Sequence, residues 1–432
     1  MLVEFSLANF RSIRSRQTLS LVASPDSKHL AGNVFTDKDK ALRLLRSAVI
    51  YGPNAAGKSN LLRALHTLQY LVQNSATGTQ EGQRLPVTPF LLSKTSPEEP
   101  SEFEIIFIAD EGVRYHYGCL VSAERVHKEW LVAYPQGRPQ RWFEREYVKG
   151  KETYEWWFGP RFKADRAERK VWQEFTRPNA LFISTAIQLN NEQLKPVFAW
   201  LTQKLIVLIP GTGVNWNPHL SINLLRESRG QNQVARFLRA ADISIDRLEL
   251  REEDMPPFSA SDGFTASSAP FVNVMVSSGK AVPKRFRFLA WHTRPDTKEE
   301  VSFDLMADES DGTKKLFEFI GCWLRALEWG ATLLVDELDR SLHPHLTRFL
   351  VGLFQNADNT QNAQLVFTTH DTTLLDTNML RRDQIWFVEK DPKQSSHFYS
   401  LLEYSPRKDE ALERGYLKGR YGAIPFIGTL GT

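Results

Sequence analysis

Apolar and polar positions alternate over residues 3–10 and 17–23, while 47–51 is a short apolar run that stops at a glycine. A period of two marks a half-buried strand and an unbroken apolar run a fully buried one, so three strands are expected. From Asn60 the period changes. Leu61, Leu65, Leu68 and Val72 recur at helical spacing and predict an amphipathic helix directly after a glycine-rich turn. Residues 101–157 are dense in Phe, Ile, Val, Tyr and Trp, with breaks at Gly112 and over 135–139, and predict an antiparallel meander. The next stretch, 160–250, is more polar, and 194–205 and 233–241 carry the helical period best. Residues 256–284 are rich in Pro, Ser, Gly and Ala and read as a mobile loop or linker.

Beyond that loop the pattern alternates: strand 285–292, helix 313–328, strand 331–335, helix 342–353, strand 364–368. Such alternation predicts a mostly parallel sheet flanked by helices, an α/β fold. The two ends of the chain then build one sheet, and the middle is an insertion packed beside it. The expected division is 1–158, a mainly helical insertion at 159–284, and 285–432, with no internal repeat and no sustained heptads that would extend a coiled-coil arm.

Length and composition narrow this only a little. At ~100–200 residues per domain, 432 residues make two or three units. With 42% hydrophobic and 24% charged residues and a mean hydropathy of −0.36, the chain is neither disordered, collagenous nor membrane-embedded. A net charge of +3 gives no electrostatic warrant for nucleic-acid binding, although a local basic patch stays open. Cys119 and Cys322 are too few for a disulfide framework and sit in apolar stretches, so both read as core residues. The first residues carry arginines where a signal peptide needs an apolar run, and no stretch reaches the ~18 apolar residues of a spanning helix. A cytoplasmic location without membrane partners is expected.

The chemistry is concentrated in four strings. Residues 52–59 read GPNAAGKS, a phosphate loop placed between an expected strand and an expected helix. Gly52 and Gly57 let the backbone curl so that its N–H groups converge on phosphate, with Asn54 and Asn60 beside them; Lys58 reaches the β and γ phosphates, and Ser59 offers a hydroxyl to Mg²⁺. Residues 332–339 read TLLVDELD, an apolar strand ending in two carboxylates; Asp336 is placed to hold Mg²⁺ and Glu337 to polarise an attacking water. Their ordinary reading, a solvated strand end, is the alternative. Residues 364–371 read QLVFTTHD, in which His370 could donate to a γ-phosphate oxygen, against the commoner reading of a surface histidine; His370–Asp371 has no companion cluster that would make a metal site. Residues 308–314 read DESDGTK, where Ser310 and Gly312 open a helix either as a plain cap or as a contact for the γ-phosphate of a nucleotide held by another copy.

In this order the strings resemble the ABC-type ATPase head: GPNAAGKS as Walker A, ESDGT as a degenerate signature, LLVDELD as Walker B with the D-loop, and TTHD as the histidine switch. Lys58 and Asp336 lie 278 positions apart, which resembles the interrupted heads of DNA-repair and chromosome-maintenance ATPases and not a transporter cassette. The opening EFSLANFRSI, PFLLSK at 89–94 and GRYGAIPFIG at 419–428 are similar to the AAA-15/AAA-21 group, which includes the ATPase half of OLD proteins and ATPases of anti-phage systems. That resemblance implies ATP and Mg²⁺ as cofactors and a homodimer or higher homo-oligomer. It also implies a nuclease effector on a Toprim domain or a separate, nearby-encoded chain such as RloB, and DNA or RNA as a further partner. The 62 residues after His370 are too few for a Toprim domain and carry no acidic cluster, so a separate effector is expected. Arg11 in NFRS resembles a position that approaches nucleotide in the repair ATPases, or is a surface arginine. The signature departs from Leu-Ser-Gly-Gly-Gln, and no glutamine between 70 and 90 stands out as a Q-loop.

The expected function is therefore a Mg-dependent ATPase that dimerises head to tail around ATP and switches an effector. The alternative is an ATP-binding scaffold that hydrolyses slowly or never. A kinase or GTPase is disfavoured, since no guanine-specific N-K-x-D follows the phosphate loop. Cutting of nucleic acid by the chain itself has no carboxylate cluster to carry it.

Overall fold

The computed structural model describes residues 1–36, 42–209, 218–254, 272–277, 280–356, 358–405, 407 and 410–425. Contacts gather into two units: Met1–Ile209 with Ala326–Leu338 and Val351–Thr432, and Pro210–Arg325 with Asp339–Leu350. The first division falls after Ile209 and not at 158, so 159–209 belongs with the first unit.

At the centre of the first unit is a six-stranded sheet in the order Leu205–Leu208, Thr332–Val335, Gln364–Thr368, Ser47–Tyr51, Ile385–Lys390, Ser396–Ser400. The first five strands run parallel and the last turns back as an antiparallel hairpin. Ser47–Tyr51 and Gln364–Thr368 are buried at every residue, which is why their central residues, 48–50 and 365–367, are unbroken apolar runs and not alternating ones. Leu205–Leu208 departs from expectation: it comes from the stretch expected to lie beside the sheet, yet it forms an edge of the sheet. The helix Lys195–Ala199 passes through a π-turn at Trp200–Lys204 before this strand, so the helical period of 194–205 ran into a strand only four residues long.

The second sheet of this unit is antiparallel and seven-stranded. The strands of 101–158 pair each with its successor, as the meander predicts, and Leu2–Ala8 and Gln17–Ser20 extend the sheet beyond Ser101–Ile108. The helix Lys58–Asn74 buries Leu61, Leu65, Leu68 and Val72 in one cluster with Ile50, Leu334 and Val366 of the parallel sheet and Phe103, Ile105 and Tyr117 of the antiparallel one. Within this core Glu129 and Arg145 form an ion pair at 3.1 Å with both side chains fully buried. The Glu129 carboxylate also accepts from the Tyr117 hydroxyl at 3.0 Å and from the Phe182 and Ile183 amides, pinning the segment 180–188 to the sheet.

In the second unit, helices Pro218–Arg226 and Ser228–Ala240 accompany an antiparallel sheet of Arg247–Asp254, Val272–Ser277, Lys280–Thr293 and Glu300–Asp304. Part of the expected loop 256–284 is thus paired strand, because Val272–Ser277 and the start of Lys280–Thr293 satisfy one another's backbone groups; 255–271 and 278–279 lie outside the described residues. Helix Asp311–Trp329 closes on Gly330, whose φ of 64° is the left-handed stop that leads the chain into Thr332–Val335. Cys119 and Cys322 are both buried thiols. Among the described residues no helix is long and apolar enough to cross a membrane.

Candidate functional site

Parallel pairing carries three strands to the same end of the sheet: Val335 is level with Phe367, and Thr368 with Ile50. Asp336, His370 and Gly52 therefore leave the sheet side by side, at the carboxyl ends where open α/β sheets take ligands. Backbone bonds knit the exits together, from Leu338 N–H to Thr368 O at 3.0 Å and from Thr369 N–H to Ile50 O at 3.3 Å.

The phosphate loop follows strand Ser47–Tyr51 and feeds helix Lys58–Asn74, as its sequence demands. Gly57 is the residue before that helix, with φ 109° and no side chain to cap the free N–H groups. A Cβ there would run into Ser396 Oγ and come within 2.6 Å of Ser12 Oγ. Lys58 is buried, and its ammonium donates to the loop's own carbonyls, Gly52 O at 2.7 Å and Pro53 O at 3.1 Å. Asn54 is exposed in the turn, and the Ser59 hydroxyl makes no hydrogen bond among the described residues.

A relay of hydroxyls braces this loop. Ser396 Oγ donates to Ala56 O at 2.6 Å, so the 2.7 Å bond between Ser12 and Ser396 must be donated by Ser12. Ser12 in turn accepts from Asn60 Nδ2 at 2.7 Å. Ser12 and Ser396 were not singled out by sequence; their meeting across the length of the chain leaves no local pattern.

Asp336 is buried, and its Oδ1 accepts the Thr368 hydroxyl at 2.7 Å. The next residue, Glu337, is half-buried with φ 53°, and its amide donates to the same hydroxyl at 2.8 Å. His370 is exposed at the strand exit. Just beyond it, the Asp371 carbonyl accepts from the Tyr51 hydroxyl at 2.9 Å, tying the histidine turn to the end of the phosphate-loop strand.

Arg11 is exposed, with φ 51°; its amide donates to Thr88 O at 2.9 Å and its guanidinium lies 5.6 Å from the Phe10 ring centre. Partial burial, and then Arg63, lower its pKa. It also lines a cavity of about 1050 Å³ with Arg84, Arg125 and Lys149.

Ser310 and Gly312 belong to the second unit. Ser310 is exposed and caps its own helix, its Oγ accepting from the Thr313 amide at 3.2 Å. A Cβ on Gly312 would sit 3.4 Å from Ser341 O, in the turn after the carboxylate pair. The plain cap is thus realised within the chain.

For a triphosphate and Mg²⁺ the donor set present fits: Lys58 supplies a cation, Ser59 a hydroxyl and the buried Asp336 a carboxylate.

No curated protein matches the chain. Among solved structures it aligns with the SmcHead bound to the C-winged helix domain of ScpA, 15% identical over 92% of this chain and 97% of that one, with a TM-score of 0.42. It aligns also with the SMC head domain from Thermotoga maritima, 12% identical over 92% and 98% with a TM-score of 0.40. The recombination mediator protein RecF-ATP of the RecFOR pathway is 14% identical over 85% and 93%, with a TM-score of 0.34. The sheet, parallel but for its last strand, is an α/β arrangement that carries the phosphate loop, the carboxylate pair and the histidine turn at one edge. Residues 47–376, well over half of the chain, match the family described as "AAA domain, putative AbiEii toxin, Type IV TA system", and the chain belongs to that AAA_21 family.

Proposed function

We propose that the chain is a Mg-dependent ATPase whose two copies close head to tail around ATP and open on hydrolysis, so that nucleotide gates a separate effector. The observation that carries this reading is the common exit of three parallel strands, which gathers the phosphate loop, the Asp336–Glu337 pair and His370 at one sheet edge.

Lys58 gives up its bonds to Gly52 O and Pro53 O for the β and γ phosphates, an exchange of neutral acceptors for charged ones. The amides of the loop and of the Lys58–Asn74 N-terminus face the phosphate oxygens. Glu337 orients the attacking water and takes its proton at a carboxylate oxygen, and His370 donates to the γ-phosphate. Ser59 and Asp336 are the residues that would hold Mg²⁺, which supplies neutralisation of phosphate charge. Ser310 and Gly312 of a second copy complete the pocket, and the helix Asp311–Trp329 behind them points its positive end at the nucleotide. Arg11 is assigned to the nucleotide side of its own copy. Binding energy that differs between open and closed pairs is all that ATP can pass to an effector.

The family description names a toxin and a type IV toxin–antitoxin system; a setting in anti-phage defence, with an effector nuclease on another chain acting on DNA or RNA, belongs to the same proposal. The test is Glu337→Gln: it should bind ATP, barely hydrolyse it and accumulate as a dimer in light scattering. A protein that stays monomeric with ATP overturns the head-to-tail reading, and a wild type without turnover leaves the scaffold.

A further inference from the structure

Thr368 has no part in the chemistry proposed above, yet it stands between the two residues on which that chemistry turns. It is fully buried at the last position of strand Gln364–Thr368. Its hydroxyl meets Asp336 Oδ1 at 2.7 Å and the Glu337 amide at 2.8 Å. An amide can only donate, so the hydroxyl accepts there and its single proton goes to Asp336. The direction of the bridge is fixed, and with it the carboxylate rotamer of Asp336.

The same bridge bears on Glu337. Its φ of 53° is a left-handed conformation that a glutamate adopts only when its surroundings impose it. The bond from the Glu337 amide to Thr368 Oγ1, followed by that from Leu338 N–H to Thr368 O at 3.0 Å, imposes it from one residue. Without the hydroxyl, a buried carboxylate oxygen and the amide of the turn would both lose this partner.

We infer that Thr368 is a positioning residue for ATP hydrolysis: one hydroxyl sets the Asp336 carboxylate and holds the Glu337 turn, coupling the metal-holding and water-orienting groups to the strand that carries His370. The inference rests on the roles given above to Asp336 and Glu337.

Two variants test it. Thr368→Val keeps the β-branched shape and removes the hydroxyl; Thr368→Ser keeps the hydroxyl. The expected result for Thr368→Val is a fall in kcat of about tenfold or more, with KM for ATP within about threefold, and Thr368→Ser restoring kcat. Affinity for a fluorescent ATP analogue should change little in either. In the nucleotide-free protein, hydrogen exchange at the Glu337 amide should be slow in wild type and Thr368→Ser and faster in Thr368→Val. Wild-type kcat and unchanged exchange in Thr368→Val overturn the inference. So does loss of analogue binding and kcat together in both variants, which marks a merely structural residue. A wild type that binds ATP and never hydrolyses it sinks instead the roles of Asp336 and Glu337, while the exchange rates still decide whether the bridge holds the turn.

Discussion

The Ser12 hydroxyl donates to that of Ser396 at 2.7 Å, and the pair occupies the space into which any side chain at position 57 would project. Gly57→Ala meets two obstacles at once, a positive φ and two hydroxyls that hold each other in place. The expected outcome is a loss of about 1–3 kcal/mol of stability in denaturant unfolding together with loss of binding to a fluorescent ATP analogue. Ser396→Ala, which opens that space, should lessen the stability cost of Gly57→Ala.

The proposed head-to-tail closure can be tested with mixtures. Lys58→Ala and Ser310→Arg chains should each be inactive, the second still binding nucleotide. Mixed in equal amounts, they form pairs in which one pocket carries both defects and the other neither, returning up to about a quarter of wild-type turnover. A mixture as inactive as its parts would mean that Ser310 serves its own subunit.

The Glu129–Arg145 pair concerns stability, not catalysis. Glu129→Ala strands a buried guanidinium and removes the acceptor of the Phe182 and Ile183 amides, so a cost of ~3–5 kcal/mol is expected in chemical denaturation. Replacing both residues by leucine should cost less than this single change.

Burial lowers the pKa of His66 from its ordinary 6.5, so the unfolded chain takes that proton more readily than the folded one. The contribution to stability is full above the unfolded value and is lost as pH falls through the window below it. His66→Gln should flatten that acid limb of thermal stability, read as the difference between each acid pH and pH 8.

Much of the fold was legible because buried parallel strands write themselves as unbroken apolar runs. Gln364–Thr368 is bounded as the pattern marks it, and Ser47–Tyr51 likewise. Leu205–Leu208 was not legible: the helical stretch 194–205 runs into its first residue, and only the pairing with Thr332–Val335 makes the four a strand. In the site, Lys58, Asp336 and His370 announced themselves through short strings. Thr368 was present in its string but silent, since a threonine is an ordinary strand residue. What distinguishes it is the atom its hydroxyl meets, and that depends on a neighbouring strand remote in sequence.

Strand Ser47–Tyr51 lies between Gln364–Thr368 and Ile385–Lys390, so both of its neighbours are translated long after it. A ribosome delivers the central strand first and must hold it unpaired while the meander, whose strands join their immediate successors, completes itself. The brace of the phosphate loop comes later still, because Ser396, whose hydroxyl donates to Ala56 O, follows both of those neighbours in the chain. A polypeptide arrested before Ser396 would carry the phosphate-binding string without the hydroxyl that braces it at Ala56 O.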